Sequence, residues 1–593
     1  NDEPAIENGE GSARDEPAAA RGVGGAAAAP AFAQRAGRPR HEAAAGRGGR
    51  GAVDEPAFET GEGRASDEPD AARGGSGADD EPAIRRGAGM IAQDVFLAPD
   101  VQWFHLSPVI ALVGGALFLL VLGALTPTWP RGLYAMVAAT TAGTAGALAM
   151  FGWDDITDEG VSTLVAGAIA HDTLAQFLTI TICAATVLVI LVTDDELQRA
   201  DAAGPEMYAM LLVAATGGVV MASANDLILL FLGLETLSLA LYVLAASDRN
   251  RTESQESGIK YFVLGGFSSA FFLYGIALIY GGAQSTNIGE IVEAFQGSVL
   301  ADGNDALVLA GVALLIVGLG FKVAAVPFHV WTPDVYQGAP TNVTAFMASV
   351  GKAAAFAAML RVLVVALPFQ RDDWRPVVWV LAVLSLVVGS AIAVVQTDVK
   401  RMLAYSSISH AGFILVGVEA AGHRAGEIGD LGDGIPSVAT YLLLYSVLTV
   451  GSLAVVSLVA AASGGDTSLD SFKGLSRRRP ALALGLTVFL LAQAGVPLTS
   501  GFVAKWGVIQ AAVEEESYAL GIIAMLAAVI AAFLYLRIMV NVWLEGGSDD
   551  AEVEPVPVST GLAIVAAAAF TLFVGVWPGW LLDAAETVTQ YAS

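Results

Sequence analysis

The sequence predicts an all-α polytopic membrane protein, and three observations support this fold class. The chain has 593 residues, of which 55% are hydrophobic, and its mean hydropathy is +0.62. Apolar stretches of roughly twenty residues, long enough to cross a bilayer as a helix, recur through most of the chain. The polar–apolar alternation that is typical of membrane β-barrel strands is missing from these stretches. We therefore expect a bundle of about fourteen transmembrane helices.

The apolar pattern places each span in order. We predict spans at roughly 108–126, 131–151, 172–193, 206–224, 226–246, 257–281, 305–326, 340–367, 376–396, 400–420, 437–462, 480–500, 517–544 and 558–580. A further apolar piece, Phe502 to Val513, follows a break in the twelfth span.

The charges of the loops predict the orientation. With the N-terminus outside, the three outer basic residues are Arg371, Arg375 and Arg424. The eleven inner ones are Arg131, Arg199, Arg249, Arg251, Lys400, Arg401, Lys473, Arg477, Arg478, Arg479 and Arg537. Since basic residues concentrate in inner loops, we predict a multi-pass plasma-membrane protein with both termini outside.

The first 89 residues differ from the rest. Asp-Glu-Pro recurs with a period of 13, starting at Asp2, Asp15, Asp54, Asp67 and Asp80. Gly, Ala, Arg and acidic residues dominate this repeat, so it cannot bury enough apolar surface to fold, and we predict that 1–89 is disordered. One alternative is an acidic tail that binds a partner. Another is that Met90 is the native start, with the transmembrane domain spanning 90–593.

Composition excludes several function classes. A net charge of -28 disfavours nucleic acid as a partner. Cys183 is the single cysteine, so the chain cannot supply the four thiolates of an all-cysteine iron–sulfur site. Neither a dinucleotide-binding glycine motif nor a P-loop is present. We therefore predict no cofactor in this chain and assign any redox chemistry to partner subunits.

Lysine is scarce and is placed where it is costly. The chain has six lysines, and Lys400 and Lys473 are predicted to lie in loops. The other four lie within or at the edge of apolar stretches and are Lys260, Lys322, Lys352 and Lys505. Unlike arginine, a buried lysine can lose its proton. Ionisable residues inside a membrane indicate a functional site.

Glu235 is the matching acid, in the middle of the fifth span. A central charge costs about 2.5–3.5 kcal/mol on insertion scales, so it needs a partner, and lysines of neighbouring spans are available. Making or breaking such a pair would switch a lysine between holding and releasing a proton. The alternative is a static pair that joins helices.

Two spans are interrupted beside a lysine. Lys322 precedes Pro327 in the seventh span, and Gly495 and Pro497 precede Lys505 in the twelfth. Because the breaks lie five spans apart, they favour a transporter with inverted repeats, at roughly 206–367 and 376–544. Ordinary proline kinks are the alternative.

The remaining candidates are less specific. Lys260 lies near the inner end of the sixth span, where a lysine that extends its charge to the membrane surface is nearly as good an interpretation. His329 and His410 could relay protons, but a hydrogen-bonded core histidine is an equal alternative at each. The histidines, acids and the cysteine show no spacing that is typical of a zinc site.

Three motifs resemble one known family. The stretches 321–340 (FKVAAVPFHVWTPDVYQGAP), 398–412 (DVKRMLAYSSISHAG) and 497–505 (PLTSGFVAK) are similar to the antiporter-like membrane subunits of respiratory complex I. Among these, PDVYQGAP at 333–340 is most similar to the N type, of NADH-quinone oxidoreductase. The resemblance covers about 105–580 and implies fourteen helices, two inverted five-helix repeats and broken seventh and twelfth helices.

The resemblance also implies roles for single residues. Glu235 and Lys322 would form the input half-channel, Lys352 the central relay and Lys505 the output half-channel, with Lys260 as the lysine of the sixth helix. His329 and His410 are weaker assignments. The implied partners are the L- and M-type subunits, small membrane subunits and the lipid bilayer, with quinone and redox centres in other subunits.

Two other functions stay open at this point. One is a standalone or multisubunit cation/proton antiporter with a related fold. The other is a scaffold that joins membrane subunits without pumping.

Overall fold

The computed structural model describes residues 101–126, 129–201, 204–297, 305–426, 432–546 and 555–589, and this part is almost entirely helical. The repeat at 1–89 and Met90 lie outside the described residues, so the predictions about them stay predictions. We call the two sides of the bundle inner and outer, as the loop charges predict.

The first half of the bundle includes one small hairpin. Its elements are α1 (Ser107–Leu125), α2 (Arg131–Glu159), β1 (Ser162–Leu164), β2 (Ile169–His171), α3 (Thr173–Arg199), α4 (Pro205–Ser223), α5 (Leu227–Ala245), α6 (Thr252–Ala283), α7 (Ile288–Gly297), α8 (Asp305–Val323), α9 (Thr332–Gly338), α10 (Thr341–Phe346) and α11 (Lys352–Met359). Two π-helical segments, Met347–Gly351 and Leu360–Ala366, make α10 and α11 one continuous helix.

The second half is helical throughout its described part. Its helices are α12 (Arg371–Val395), α13 (Val399–His423), α14 (Gly434–Ala462), α15 (Leu475–Arg478), α16 (Pro480–Ala494), α17 (Ser500–Glu514), α18 (Tyr518–Trp543), α19 (Val558–Val576) and α20 (Gly579–Glu586). Of the described helices, thirteen are long and apolar enough to cross a membrane. The pair α16 and α17 adds an interrupted crossing, so the predicted all-α polytopic fold is confirmed.

The two halves repeat one capping arrangement on opposite sides. The Asp226 carboxylate caps the first turn of α5 and accepts a hydrogen bond from the Thr286 hydroxyl at 2.7 Å. The Asp398 carboxylate likewise caps α13 and accepts from the Thr467 hydroxyl at 2.5 Å. Because five crossings separate α5 from α13, the two caps face opposite sides of the membrane. This is the geometry of an inverted repeat.

Both predicted breaks are present and they match. After α8 the chain turns through Ala324, with φ 61°, and after α16 it turns through Gly495, with φ 88°. At the first break the backbone N–H of Ala325 donates to the carbonyl of Gly320 at 2.8 Å. At the second break the N–H of Val496 donates to the carbonyl of residue 491 at 3.1 Å. The same turn therefore ends both helices.

A glycine permits the close approach at the second break. A Cβ atom on Gly501 would lie 1.8 Å from the carbonyl oxygen of Ala492, which is far inside van der Waals contact. No side chain fits there, so the first turn of α17 can lie against the last turn of α16 only with glycine at this position.

A buried ion pair that the sequence analysis did not anticipate ties α3 to the helix of Arg361. The guanidinium donates two hydrogen bonds of 2.6 Å to the Asp172 carboxylate, and both side chains are 0% exposed. Arg361 also donates to the carbonyl of Ala222 at 3.0 Å. Removing one partner of such a pair leaves an uncompensated charge inside the protein.

We expect Asp172→Asn to destabilise the protein by about 3–5 kcal/mol, because it strands the Arg361 charge. Arg361→Met should cost less, since the stranded Asp172 can take up a proton whereas a guanidinium cannot lose one. The measurement is the thermal unfolding midpoint in detergent.

The matched control is Asp226→Asn. Asparagine caps a helix about as well as aspartate, and Asp226 pairs with a hydroxyl and backbone N–H groups. Its unfolding midpoint should barely move. Equal shifts for Asp172→Asn and Asp226→Asn would show that the charge of Arg361 does not need its partner.

Candidate functional site

Lys322 is the first of four buried lysines. It lies in the last turn of α8, and its ammonium donates to the Ser238 hydroxyl at 2.6 Å and to the Tyr242 hydroxyl at 3.5 Å, both on α5. The ammonium also lies 5.7 Å from the centre of the Tyr242 ring. Neutral oxygens and an aromatic ring therefore surround it.

Glu235 lies close to Lys322 without contacting it. The two side chains interact electrostatically, but among the described residues no carboxylate oxygen comes within the 4.0 Å that defines an ion pair with Lys322. One Glu235 oxygen is buried and has no hydrogen-bond partner within the described part of the protein. The expected direct pair is thus absent from this conformation, and Ser238 occupies the place of the acid.

Lys352 lies at the centre of the bundle. It is 2% exposed, and its ammonium donates to the Ser407 backbone carbonyl at 2.5 Å and to the Ser407 hydroxyl at 2.7 Å. The Tyr445 hydroxyl donates to the Ser407 hydroxyl oxygen at 2.8 Å. The π-helical turns on both sides of α11 enclose Lys352, and such turns are frequent at functional sites.

A network of polar side chains leads from this point toward the second break. His410 is hydrogen-bonded to the hydroxyls of Tyr441 at 2.7 Å and Tyr535 at 3.2 Å. Tyr535 is also bonded to the hydroxyl of Ser406 at 2.6 Å, and Ser406 reaches the side-chain oxygen of Gln493 at 3.5 Å. The rings of His410 and Tyr445 lie 4.8 Å apart, which joins this network to the partner of Lys352.

Lys505 ends the network. It lies on α17, is 5% exposed, and donates to the backbone carbonyls of Gln493 at 2.8 Å and Ala494 at 3.1 Å. Those carbonyls are free of helical hydrogen bonding because α16 stops there. The ammonium groups of Lys352 and Lys505 both act electrostatically on His410.

Two candidates lie away from this centre. Lys260 is partly exposed on the inner side and forms 2.7 Å ion pairs with Glu256 and Asp334. Burial raises the pKa of the Asp334 carboxyl, but the hydrogen bonds that it accepts from Lys260 and Arg401 lower this pKa below its usual range. His329 is half-buried beside the first break, and its Nδ1 has no hydrogen-bond partner among the described residues.

The sequence analysis missed one lysine. Lys400 is predicted to be a charge of an inner loop. This prediction is wrong, because Lys400 lies in the first turn of α13 and is 2% exposed. Its ammonium donates to the backbone carbonyl of Ala339 at 2.6 Å. The available signal was the capping Asp398 two residues earlier, since it places Lys400 inside a helix rather than in a loop.

The four buried lysines share one property. Among the described residues, none of Lys322, Lys352, Lys400 and Lys505 has a carboxylate within ion-pair distance, whereas the surface lysines Lys260 and Lys473 do. An ammonium held only by neutral oxygens can lose its proton without leaving a carboxylate buried and unpaired. The arrangement can therefore bind and release protons at separated points inside the bundle.

Comparison with known families gives a consistent result. Residues 224–531 match the family model described as NADH:quinone oxidoreductase/Mrp antiporter, transmembrane. The chain is 42% identical over 536 residues to NADH-quinone oxidoreductase subunit N 3 of Streptomyces griseus, covering 83% of this chain and 94% of that relative.

Solved structures agree on the fold. A chain of respiratory complex I from Thermus thermophilus with bound aureothin superposes with a TM-score of 0.67 at 31% identity, covering 81% of this chain and 99% of that one. A chain of the Mrp complex from Dietzia sp. DQ12-45-1b superposes with a TM-score of 0.72 at 20% identity, covering 82% and 97%. At that identity the second likeness supports the fold alone.

Proposed function

Because this chain belongs to the NADH:quinone oxidoreductase/Mrp antiporter transmembrane family, and within it to the N subunits of NADH-quinone oxidoreductase, we propose that it translocates protons. It does so as a membrane-arm subunit of a complex whose other subunits reduce quinone. The observation that carries this proposal is the set of buried lysines held by neutral oxygens. In this role the chain binds no redox group of its own and has L- and M-type subunits and small membrane subunits as neighbours.

The inner step uses Glu235 and Lys322. A proton from the inner side reaches Lys322, whose ammonium interacts electrostatically with the Glu235 carboxylate. Ser238 and Tyr242 hold the Lys322 side chain close to Glu235 without closing the pair. A rearrangement that brings the two charges together or apart would then change how tightly the proton is held.

The central step passes through Lys352. Its proton can leave through Ser407, which is hydrogen-bonded to Lys352 and Tyr445. The rings of Tyr445 and His410 lie 4.8 Å apart without a hydrogen bond between them, so transfer to His410 passes through a bridging water. Hydroxyl and imidazole groups both accept and donate protons, so they can relay one in steps. Lys505 then receives the proton and releases it on the outer side.

The two rival functions make different predictions about the native assembly. A complex I-type subunit co-purifies with redox subunits, whereas a cation/proton antiporter purifies without them. A scaffold would keep coupled pumping when its lysines are changed. Subunit composition and donor specificity of the isolated complex therefore separate the first two, and lysine variants test the third.

We expect Lys322→Arg and Lys352→Arg to reduce proton pumping by about tenfold or more, each tenfold being about 1.4 kcal/mol of barrier. Arginine keeps the charge but cannot release its proton. Pumping is measured by dye quenching in inside-out vesicles, alongside quinone reduction and the amount of assembled complex.

The matched control is Lys473→Arg, at a partly exposed lysine paired with Asp470. It should pump like the parent. Assembled Lys322→Arg and Lys352→Arg complexes that generate a full proton gradient would refute the proposed function.

We also expect Ser407→Ala to slow pumping by about tenfold, because a hydrogen bond to a charged group contributes about 1.5–3 kcal/mol and its backbone carbonyl remains. Ser409→Ala is the control. Ser409 lies two residues further on the same helix, is equally buried, and bonds Ser390 instead of a lysine. Similar pumping by the two variants would mean that the Lys352–Ser407 contact does not take part in transfer.

A further inference from the structure

Lys400 is a buried ammonium that the pathway described above does not use. Its ammonium is hydrogen-bonded to the carbonyl of Ala339. The charged groups that act on it are Glu196 on α3, Arg251 at the start of α6, and Asp398. Glu196 has the largest influence among these charges. Burying an ammonium without a close ion pair costs free energy, so a lysine at this position indicates a function.

Glu196 lies on the solvent side of Lys400. It lines an inner cavity of about 1140 Å³ together with Pro340, Asn342 and charged groups that include Asp248 and Arg249. The Asn342 backbone N–H donates to its carboxylate at 3.4 Å. Lys400, Arg199 and Asp195 are the charges that act on Glu196. Because Glu196 is partly exposed and lines this cavity, we place it at the boundary between the cavity and the interior.

Lys400 lies on the interior side. It lines a narrow cavity of about 10 Å³ with Tyr336, Ser406, Tyr445 and Gln493. That volume is close to the least that holds one water molecule. Three of these residues, Ser406, Tyr445 and Gln493, belong to the network between Lys352 and Lys505.

The segment that joins α9 to α10 contacts both groups. The Lys400 ammonium donates to the carbonyl of Ala339, and the N–H of Asn342 donates to the Glu196 carboxylate. The two residues between these contacts are Pro340 and Thr341. The acid and the lysine thus bind the same short segment of the chain.

We propose that Glu196 and Lys400 form a second inner site of proton uptake, which delivers protons to the Ser406–Gln493 region without passing Lys322. Glu196 takes a proton from cavity water and becomes neutral. A bridging water carries that proton on to the neutral amine of Lys400, because the two groups are not in direct contact; the transfer restores the carboxylate and forms the ammonium. The ammonium then releases the proton through the narrow cavity. This inference rests on the proposed function.

The activity test uses pairs of variants in the assembled complex. We take the two inner sites to supply different protons of the same cycle, so that losing either one blocks the cycle. Lys400→Met and Glu196→Gln should therefore each reduce pumping by about tenfold or more. Lys400→Arg should be equally impaired, because it keeps the charge and a donor for Ala339 but cannot deprotonate. Glu196→Asp, which keeps a carboxylate, should recover much of the loss. Glu206→Gln, in the same cavity but exposed, is the control and should pump like the parent.

The access test does not depend on activity. Cys183 is the single cysteine and is 1% exposed, so the parent chain gives little background with a membrane-impermeant maleimide. In inside-out vesicles, labelling of this subunit should be fast for Glu196→Cys and slow for Lys400→Cys. Equal slow labelling of both would overturn the assignment of Glu196 to the solvent side.

The outcomes are separable. If Lys352→Arg pumps normally, the proposed function fails. If Lys352→Arg is inactive but Lys400→Met and Glu196→Gln pump like the parent, only the second uptake site fails. If Lys400→Arg restores the pumping that Lys400→Met loses, Lys400 has a structural role and the inference is overturned.

Discussion

The burial of ammonium groups against neutral oxygens is the constraint on which the interior depends. Lys352 rests on Ser407, and Lys505 rests on two carbonyls that the end of α16 leaves free. Permanent charge is treated differently, because the guanidinium of Arg361 has a fully buried carboxylate as its partner. Among the buried cationic groups of the described residues, the one that must stay charged, Arg361, is paired, and the lysines, which can change charge, are held by neutral oxygens. Oxygen dipoles can accommodate both protonation states, whereas an ion pair favours one.

Much of the fold could be predicted because single helices carry their own signals. Span length, proline and the loop charges predicted fourteen crossings and both breaks. Lys322, Lys352 and Lys505 stood out because lysine is costly in apolar stretches. The roles of these residues remain predictions. The residues of one helix are sufficient to predict its length, its breaks and the lysines it contains.

Contacts between distant segments could not be predicted in this way. The sequence pattern placed Lys400 in a loop. In the structure it is buried and donates a hydrogen bond to a carbonyl 61 residues away in the chain. The partner of Arg361 is 189 residues away. The expected pairing of Glu235 with Lys322 is replaced by a serine one turn along α5. Each outcome depends on how helices pack, which hydropathy and residue spacing do not encode.

The repeated aspartate caps have a consequence for direction. Counting from Asp226 and Asp398, Glu235 corresponds to Ser407 and Ser238 to His410; counting from the left-handed turns, Lys322 corresponds to Gln493. The two halves share this architecture, but the second half has no acid at the position of Glu235 and no amine at the position of Lys322. The backbone is thus nearly symmetric about the membrane midplane, but its chemistry is not. The difference between the inner and outer sides therefore comes from the side chains and not from the path of the backbone.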